Sequence, residues 1–488
     1  MKIELAFLRK ALPLSKVYLA GTDLYYSITA STLDSLTEYF DSSYCRMDFD
    51  SNSVKPGDAF VALKGAVHDG HDFIEDVINR GVRLLFLCDS ERERVRRIDK
   101  KLLKDVIVIF VSDTLEALKS LAKTWRARFK YPVVGITGSV GKTTTKEMLR
   151  TILKQTSLPF YVSYKNQNTE IGLSVNILRM SDHHQVAVFE LGINDKGEME
   201  ELVEILNPTM ALVTMVSHSH VKGLGTLREI AEEKMKIFSR FNSDNIGIVC
   251  GDTSYLAEVS HHHPVVRFGA KIKNHVQARK IKTELIDDVY VTTFTLKLYE
   301  HRVRVRLNTN HRGMVNNAVA ASTISYFLGI SFEAIMKGIQ EFNGFESRFE
   351  QLPMQNGRGV VISDCYNASP ESMRAAIMAL DELPDNRAKV VILGDMLELG
   401  AREITWHKHV GRMVAKAESI ESILLVGKMA KTMAEVLPKK RDIRFAVDWQ
   451  EAVKISEEIA KEKTGDSIFL VKASLGMGLG KVVDALIE

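Results

Sequence analysis

The sequence predicts an α/β protein of three successive units, the central one built on a mostly parallel sheet with an added antiparallel hairpin. Three observations predict it. At 488 residues the chain is too long for one ordinary core. Short apolar runs alternate with helical patterns from end to end, the order that generates parallel sheets. Residues 289–307 (VYVTTFTLKLYEHRVRVRL) instead alternate apolar and polar with period two, as an antiparallel hairpin does.

Residues 1–130 form the first unit. Its runs AFVAL, RLLFLC and VIVIFV read as strands, and EALKSLAKTWRARF reads as a helix that Tyr131-Pro132 ends. Residues 131–345 form the second, with VVGIT, VAVFE, ALVTMV and IGIVC each closing on a polar or glycine-bearing turn. Residues 346–488 form the third, where VVISD, KVVILG, SILLVG and SIFLVK predict an open, doubly wound, Rossmann-like sheet. No fixed-period repeat or low-complexity tract interrupts this order.

Composition narrows the class. Hydrophobic residues are 45% and charged residues 26%, as in globular rather than disordered chains, and the net charge of +3 gives no electrostatic signature of a nucleic-acid partner. Cys45, Cys88, Cys250 and Cys365 are too dispersed for a zinc site and read as reduced thiols. No segment has the length of a membrane span and the N-terminus lacks a secretory pattern, so a cytoplasmic protein is expected. The run His261–His263 precedes Pro264 and reads as an exposed loop rather than a metal tract.

The strongest local signal follows VVGIT. Gly138-Ser139-Val140-Gly141-Lys142-Thr143-Thr144 opens a helix whose Met148, Leu149, Ile152 and Leu153 share one face. Strand, glycine turn and helix form the context of a phosphate loop: glycines let successive N–H groups converge on phosphate oxygens, Lys142 supplies charge and Thr143 a hydroxyl for Mg²⁺. Ile136 occupies the place of the first glycine in the strict motif, so an accidental glycine-lysine turn is the competing reading.

Ligands gather at the carboxyl ends of strands in such sheets. Glu190 ends VAVFE and His220 follows ALVTMV. Glu190 reads either as a hard oxygen ligand for Mg²⁺ or as a solvated strand end, and His220 as a metal or phosphate partner or a loop histidine. Lys234 falls on the apolar face of LREIAEEKMKIFSRF, with Leu227, Ile230, Ala231, Ile237 and Phe238. It is either a desolvated, reactive amine or a side chain snorkelling along the helix edge.

Taken together, these residues resemble the Mur ligases. DSNSVKPGDAFVALKGAVHDGHDFI, TGSVGKTTTKEML, NQNTEIG, FELGINDKGEMEEL, HVKGLGT, IAEEKMKIF, SDCYNASPESM, VILGDMLELG and GDSIFLVKAS occur in the family's order over nearly the whole chain. The resemblance implies the three-domain Mur architecture: an N-terminal UDP-sugar domain, a central ATP-binding domain and a C-terminal amine-substrate domain. It also implies an ATP-dependent ligase that joins D-Ala-D-Ala or a similar amine to a UDP-muramyl peptide through an acyl phosphate, acting as a monomer. Lys142 and Thr143 would hold ATP and the first of two Mg²⁺ ions. Glu190, His220 and a carbamylated Lys234 would serve the metal, and Asn317, Arg348 and Asp364 the nucleotide. Asp50, Ser51 and Lys64 would fall in the segment that holds the UDP-sugar, Asn166 and Asn168 would serve substrate from the asparagine-rich loop beyond the phosphate loop, and Tyr366, Asn367 and Ser372 would face the amine.

The chain departs from the family pattern at Asn52, Thr169, Ser174, Lys236, Ala473 and Leu475, and at His311-Arg312-Gly313-Met314 before Asn317. Two alternatives stand beside this reading. One is a related ligase with a peptidoglycan, pseudomurein or polyglutamate-type acceptor. The other is a phosphate-loop switch that hydrolyses nucleotide without an amine.

Overall fold

Apolar runs bounded by turn residues become buried strands in each part of the chain. The computed structural model describes all residues except 1–3, 21–23, 29–45, 66, 165, 219–220, 259–261, 287–288, 310, 343, 345–347, 356, 358, 384–385 and 464–465. The chain divides into two compact units: residues 1–135, 158–192 and 199–208 form one, and residues 136–157, 193–198 and 209–488 form the other.

In the first unit, β1 (Lys16–Leu19), β2 (Leu24–Ser27), β3 (Met47–Asp48), β4 (Ala59–Val61), β5 (Leu84–Cys88) and β6 (Ile107–Val111) form a sheet of order β2-β1-β6-β5-β4-β3. β3 to β6 run parallel, and β1 is antiparallel to both β2 and β6. Phe60, Phe86 and Phe110 are wholly buried in this sheet. The helix Thr114–Arg126, capped by Asp113, turns Leu118, Leu121 and Trp125 inward, and the Trp125 indole N–H donates to the Met180 carbonyl at 3.0 Å.

A second sheet contains β7 (Val133–Thr137), β8 (Phe160–Val162), β9 (Val186–Glu190), β10 (Met210–Val213), β11 (Ile246–Cys250), β12 (Val265–Gly269), β13 (Val276–Ile286), β14 (Val289–Leu298) and β15 (His301–Leu307). Its order is β15-β14-β13-β12-β11-β10-β7-β9-β8. The antiparallel segment is larger than the expected hairpin: β13 pairs with β14 across a bulge between Arg279 and Lys282, making a three-stranded ribbon. Of the histidine run, His261 lies outside the described residues. His262 and His263 lie in a bend before β12, as a loop reading expects; His262 is exposed, while His263 is half-buried rather than exposed, packed on Phe238 and Phe241 with ring centroids 5.0 and 5.1 Å away.

The third sheet has the order β16-β17-β21-β18-β19-β20, from β16 (Glu350–Pro353), β17 (Gly359–Asp364), β18 (Ala388–Gly394), β19 (Ile420–Val426), β20 (Asp442–Ala446) and β21 (Ser467–Lys472). β17 to β21 are parallel and β16 is an antiparallel edge. β21 is buried at all six positions, as expected of a central strand in a parallel sheet. No helix among the described residues is long and apolar enough to cross a membrane.

Candidate active site

β7 ends in the loop that the sequence marks, whose glycines set its shape and whose side-chain neighbours hold it. Gly138 has φ +144 and Gly141 φ +89, in the region that favours glycine. A Cβ at Gly138 would lie 1.9 Å from the Thr214 hydroxyl, and one at Gly141 would lie 2.5 Å from Asn317 Oδ1. Those close approaches have partners: Thr214 Oγ1 donates to the Val140 carbonyl at 2.6 Å, and Asn317 Oδ1 accepts from Thr145 Oγ1 at 3.3 Å. Ser139 accepts from the Ser217 N–H at 3.0 Å and donates to the Ser217 carbonyl at 3.1 Å, so its hydroxyl fastens the loop rather than facing a ligand. Lys142 Nζ donates to the Gly138 carbonyl at 2.8 Å, which holds the ammonium against the loop. Thr143 and Thr144 are buried in the first turn of the helix Lys142–Leu153, where unpaired N–H groups and the helix dipole favour an anion.

Lys234 has the desolvated environment. A capping box of Thr226 and Glu229 starts the helix Leu227–Met235, and Lys196 bonded to Glu229 at 2.6 Å holds that carboxylate at a pKa of about 2. The helix then buries Ile230, Ala231, Glu233 and Lys234 on one face, leaving Lys234 1% exposed. Burial pushes the Lys234 ammonium well below the ordinary lysine range, and the Lys142 cation pushes the same way. The snorkelling alternative is excluded by that burial.

Glu190 is 2% exposed at the end of β9, and its Oε1 accepts from Asn168 Nδ2 at 2.9 Å. The Asn168 carbonyl accepts from Gly192 N–H at 2.9 Å, and the Asn166 carbonyl from Asn168 N–H at 2.8 Å. Glu190 is therefore a buried, oriented carboxylate rather than a solvated strand end. His220 lies outside the described residues. No group of three His, Cys, Asp or Glu that could cage a metal occurs among the described residues. The Thr143 hydroxyl in the first turn of its helix is a hard oxygen donor of the kind Mg²⁺ takes in sites with few protein ligands.

In the N-terminal sheet, Asp50 Oδ1 accepts from the Asn52 N–H at 2.9 Å, with Ser51 in the same turn. Asp48 orders this turn: it is 6% exposed, accepts from the N–H groups of Phe49 and Asp50, and lies 3.6 Å from Arg46 and 3.7 Å from Arg179. Lys64 and Asp69 form an isolated antiparallel backbone β-bridge.

The third sheet brings together residues that are remote in sequence. Arg348 lies over the Tyr366 ring at 3.9 Å. Asp364 accepts from Lys472 Nζ at 2.7 Å, and the same ammonium donates to the Asn367 carbonyl at 2.8 Å. Ser372 is engaged in a capping box with Ser369. Lys472 was not singled out by sequence reasoning, although a lysine ending an otherwise apolar strand was a visible signal. It is 1% exposed, so Lys472→Met strands the Asp364 carboxylate and is expected to cost about 3 kcal/mol of stability, measured by urea unfolding. A change within 0.5 kcal/mol, roughly the scatter of surface substitutions, would remove the bridge from this account.

A glycine-rich loop at a helix N-terminus, with a buried lysine in electrostatic reach of its lysine, is the class of site that a nucleotide-using enzyme carries. Residues 46–126, 136–325 and 347–475 match the descriptions "Mur ligase family, catalytic domain", "Mur ligase middle domain" and "Mur ligase, glutamate ligase domain". The chain belongs to the Mur ligase family. It is 32% identical to the UDP-N-acetylmuramoyl-tripeptide--D-alanyl-D-alanine ligase of Bacillus subtilis, over 90% of this chain and 92% of the relative. Its fold matches a crystal structure of MurF from Acinetobacter baumannii with TM-score 0.84 and 28% identity, covering 99% of this chain and 98% of that one. It also matches the MurF ligase of Thermotoga maritima in complex with ADP, with TM-score 0.77 and 26% identity, covering 91% and 98%.

Proposed function

We propose that this chain is an ATP-dependent, ADP-forming ligase that adds D-Ala-D-Ala to a UDP-N-acetylmuramoyl tripeptide in peptidoglycan precursor synthesis. The observation that carries this reading is the buried Lys234 within electrostatic reach of the phosphate-loop Lys142. It occurs in a chain 32% identical, over 90% of its length, to a UDP-N-acetylmuramoyl-tripeptide--D-alanyl-D-alanine ligase. A hydrolytic switch has no use for that lysine.

A carboxylate is a poor electrophile. Transfer of the γ-phosphoryl group of ATP to the terminal carboxylate of the peptide creates an acyl phosphate and releases ADP; the amine then forms the amide bond, expelling phosphate and losing a proton. Lys142 and the loop N–H groups other than that of Ser139, which donates to the Met215 carbonyl at 2.6 Å, bind the phosphates and offset charge on the transferring group. Mg²⁺, when bound, adds Lewis-acid stabilisation of the same charge, with Thr143, Glu190 and His220 as its protein partners in this reading. The neutral amine of Lys234 is the form that adds CO₂, and the resulting carbamate suits the neighbourhood of the Lys142 cation better than a second ammonium does. Asn317, Arg348 and Asp364 hold the nucleotide, with Lys472 fixing Asp364 in place. Asp50, Ser51, Lys64, Asn166 and Asn168 serve the UDP-peptide, and Tyr366, Asn367 and Ser372 the dipeptide.

This reading takes domain boundaries at residues 130/131 and 345/346, one chain per active enzyme, and a cytoplasmic location where UDP-peptide and ATP meet. Phosphate release from ATP with UDP-muramyl tripeptide, compared among D-Ala-D-Ala, L-amino acids, glutamate and no amine, tests it. Release that needs both tripeptide and D-Ala-D-Ala, with a product heavier by the dipeptide, is expected. Preference for another amine would overturn the substrate, and release without an amine would overturn the ligase.

A further inference from the structure

The near-neutral net charge conceals a segregated face. Antiparallel register aligns Gln277, Lys297 and Arg302 in one row, Arg279, Thr295 and Arg304 in the next, and Lys282, Thr293 and Arg306 in a third. Cross-strand partners share a face, so six cations occupy one side of the β13–β15 ribbon, with rows roughly 7 Å apart and strands about 4.8 Å apart. The opposite side is apolar: Ala278, Phe294, Leu296, Leu298, Val305 and Leu307 are buried, and the helices Arg312–Phe327 and Phe332–Gln340 pack against the ribbon.

Few of the cations are neutralised. Lys282 pairs with Glu284 at 2.5 Å, Arg279 bonds Gln277, and Arg304 bonds the Lys280 carbonyl. Lys297, Arg302 and Arg306 have no ion pair among the described residues. Arg302, Arg304 and Arg306 are all exposed on β15, the edge strand of its sheet.

An apolar residue sits at one end of this face. Gln277 Nε2 donates to the carbonyls of Ile272 at 2.8 Å and Asn274 at 2.6 Å, which ties the turn between β12 and β13 over the first row. Ile272 is 76% exposed at that turn and is flanked by the exposed Lys271 and Lys273. Between the cations stand threonines, and no aromatic ring lies in the three rows to stack a nucleic-acid base. A cationic plane with one protruding aliphatic side chain fits the headgroup layer of an acidic bilayer, where phosphates meet the plane and the side chain reaches the acyl boundary.

We propose that the outer face of the β13–β15 ribbon, with Ile272 at its end, docks the enzyme peripherally on an anionic lipid surface. The face is remote in role from the phosphate loop and does not depend on which amine the enzyme uses.

Co-sedimentation of the full chain with vesicles tests this, using phosphatidylcholine mixed with phosphatidylglycerol against phosphatidylcholine alone. Binding to the mixed vesicles only, weakened by salt, is expected. Removing a surface cation lowers partitioning roughly fivefold, so Arg302→Gln/Arg304→Gln/Arg306→Gln is expected to lower it ~100-fold while the ligase rate in vesicle-free solution stays unchanged. Ile272→Ser, which keeps every charge, is expected to weaken binding several-fold. Equal binding to both vesicle types, or unchanged binding by the triple variant, would overturn the proposal. So would displacement from vesicles by poly(U) RNA at equal phosphate, which would assign the face to nucleic acid.

Discussion

Lys142→Met is expected to lower the ligase rate by about 10³-fold, the scale of losing one charged group aimed at a developing transition-state charge. The fold should survive, because the loop is held by Ser139, Thr214 and Asn317 through bonds that do not involve the lysine side chain. An unchanged melting temperature beside the lost activity is therefore part of the expected result. Lys142 has a second effect. Its cation favours the neutral form of Lys234, so its removal lets Lys234 hold a proton more readily. The Lys142 and Lys234 substitutions should then be non-additive in a double-mutant cycle; strict additivity would show that the two lysines act independently.

Lys234→Ala is expected to lower activity by at least ~10²-fold, the range for losing a group that orients a metal site, and a short carboxylic acid such as acetate should restore part of it. The acid would supply the oxygens that a carbamate on Lys234 contributes in the proposed mechanism. Lys234→Arg should not be rescued, because a guanidinium stays charged and fills the space. Full activity in Lys234→Ala would remove the lysine from the mechanism. Burial has a stability consequence with a definite sign. Between the depressed proton affinity of folded Lys234 and the ordinary lysine range, the unfolded chain binds one more proton than the folded chain. Stability attributable to this group therefore rises with pH through that window. In bicarbonate-free buffer, Lys234→Met should flatten this slope and stabilise the protein at neutral pH.

What the sequence made legible was what is local. IGIVC became β11 with the same bounds, and the strand, glycine turn and helix of the phosphate loop formed as expected because each is specified within a few residues. ALVTMV ended earlier, at Val213, because Thr214 turns its hydroxyl to Val140. β20 carries no apolar run: it is an edge strand with only Ala446 buried. β13 escaped the period-two reading because the bulge at Arg279/Lys282 breaks its alternation.

The site divides in the same way. Lys234 was marked by its place on an apolar helix face. Lys472 meets Asp364 across 108 positions, and no local pattern reports a contact of that range. The cationic ribbon was hidden by an overall charge that sums away its segregation onto one face.

Acyl-phosphate formation is the centre of this account, and isotope transfer tests it most directly. The tripeptide is prepared with ¹⁸O in its terminal carboxylate and turned over with ATP, Mg²⁺ and D-Ala-D-Ala, and the released phosphate is analysed by mass. The account predicts one ¹⁸O atom in each phosphate, because the carboxylate oxygen that attacks the γ-phosphorus leaves with it. Phosphate free of ¹⁸O alongside amide product would contradict it, since the carboxylate would then have been activated by another route.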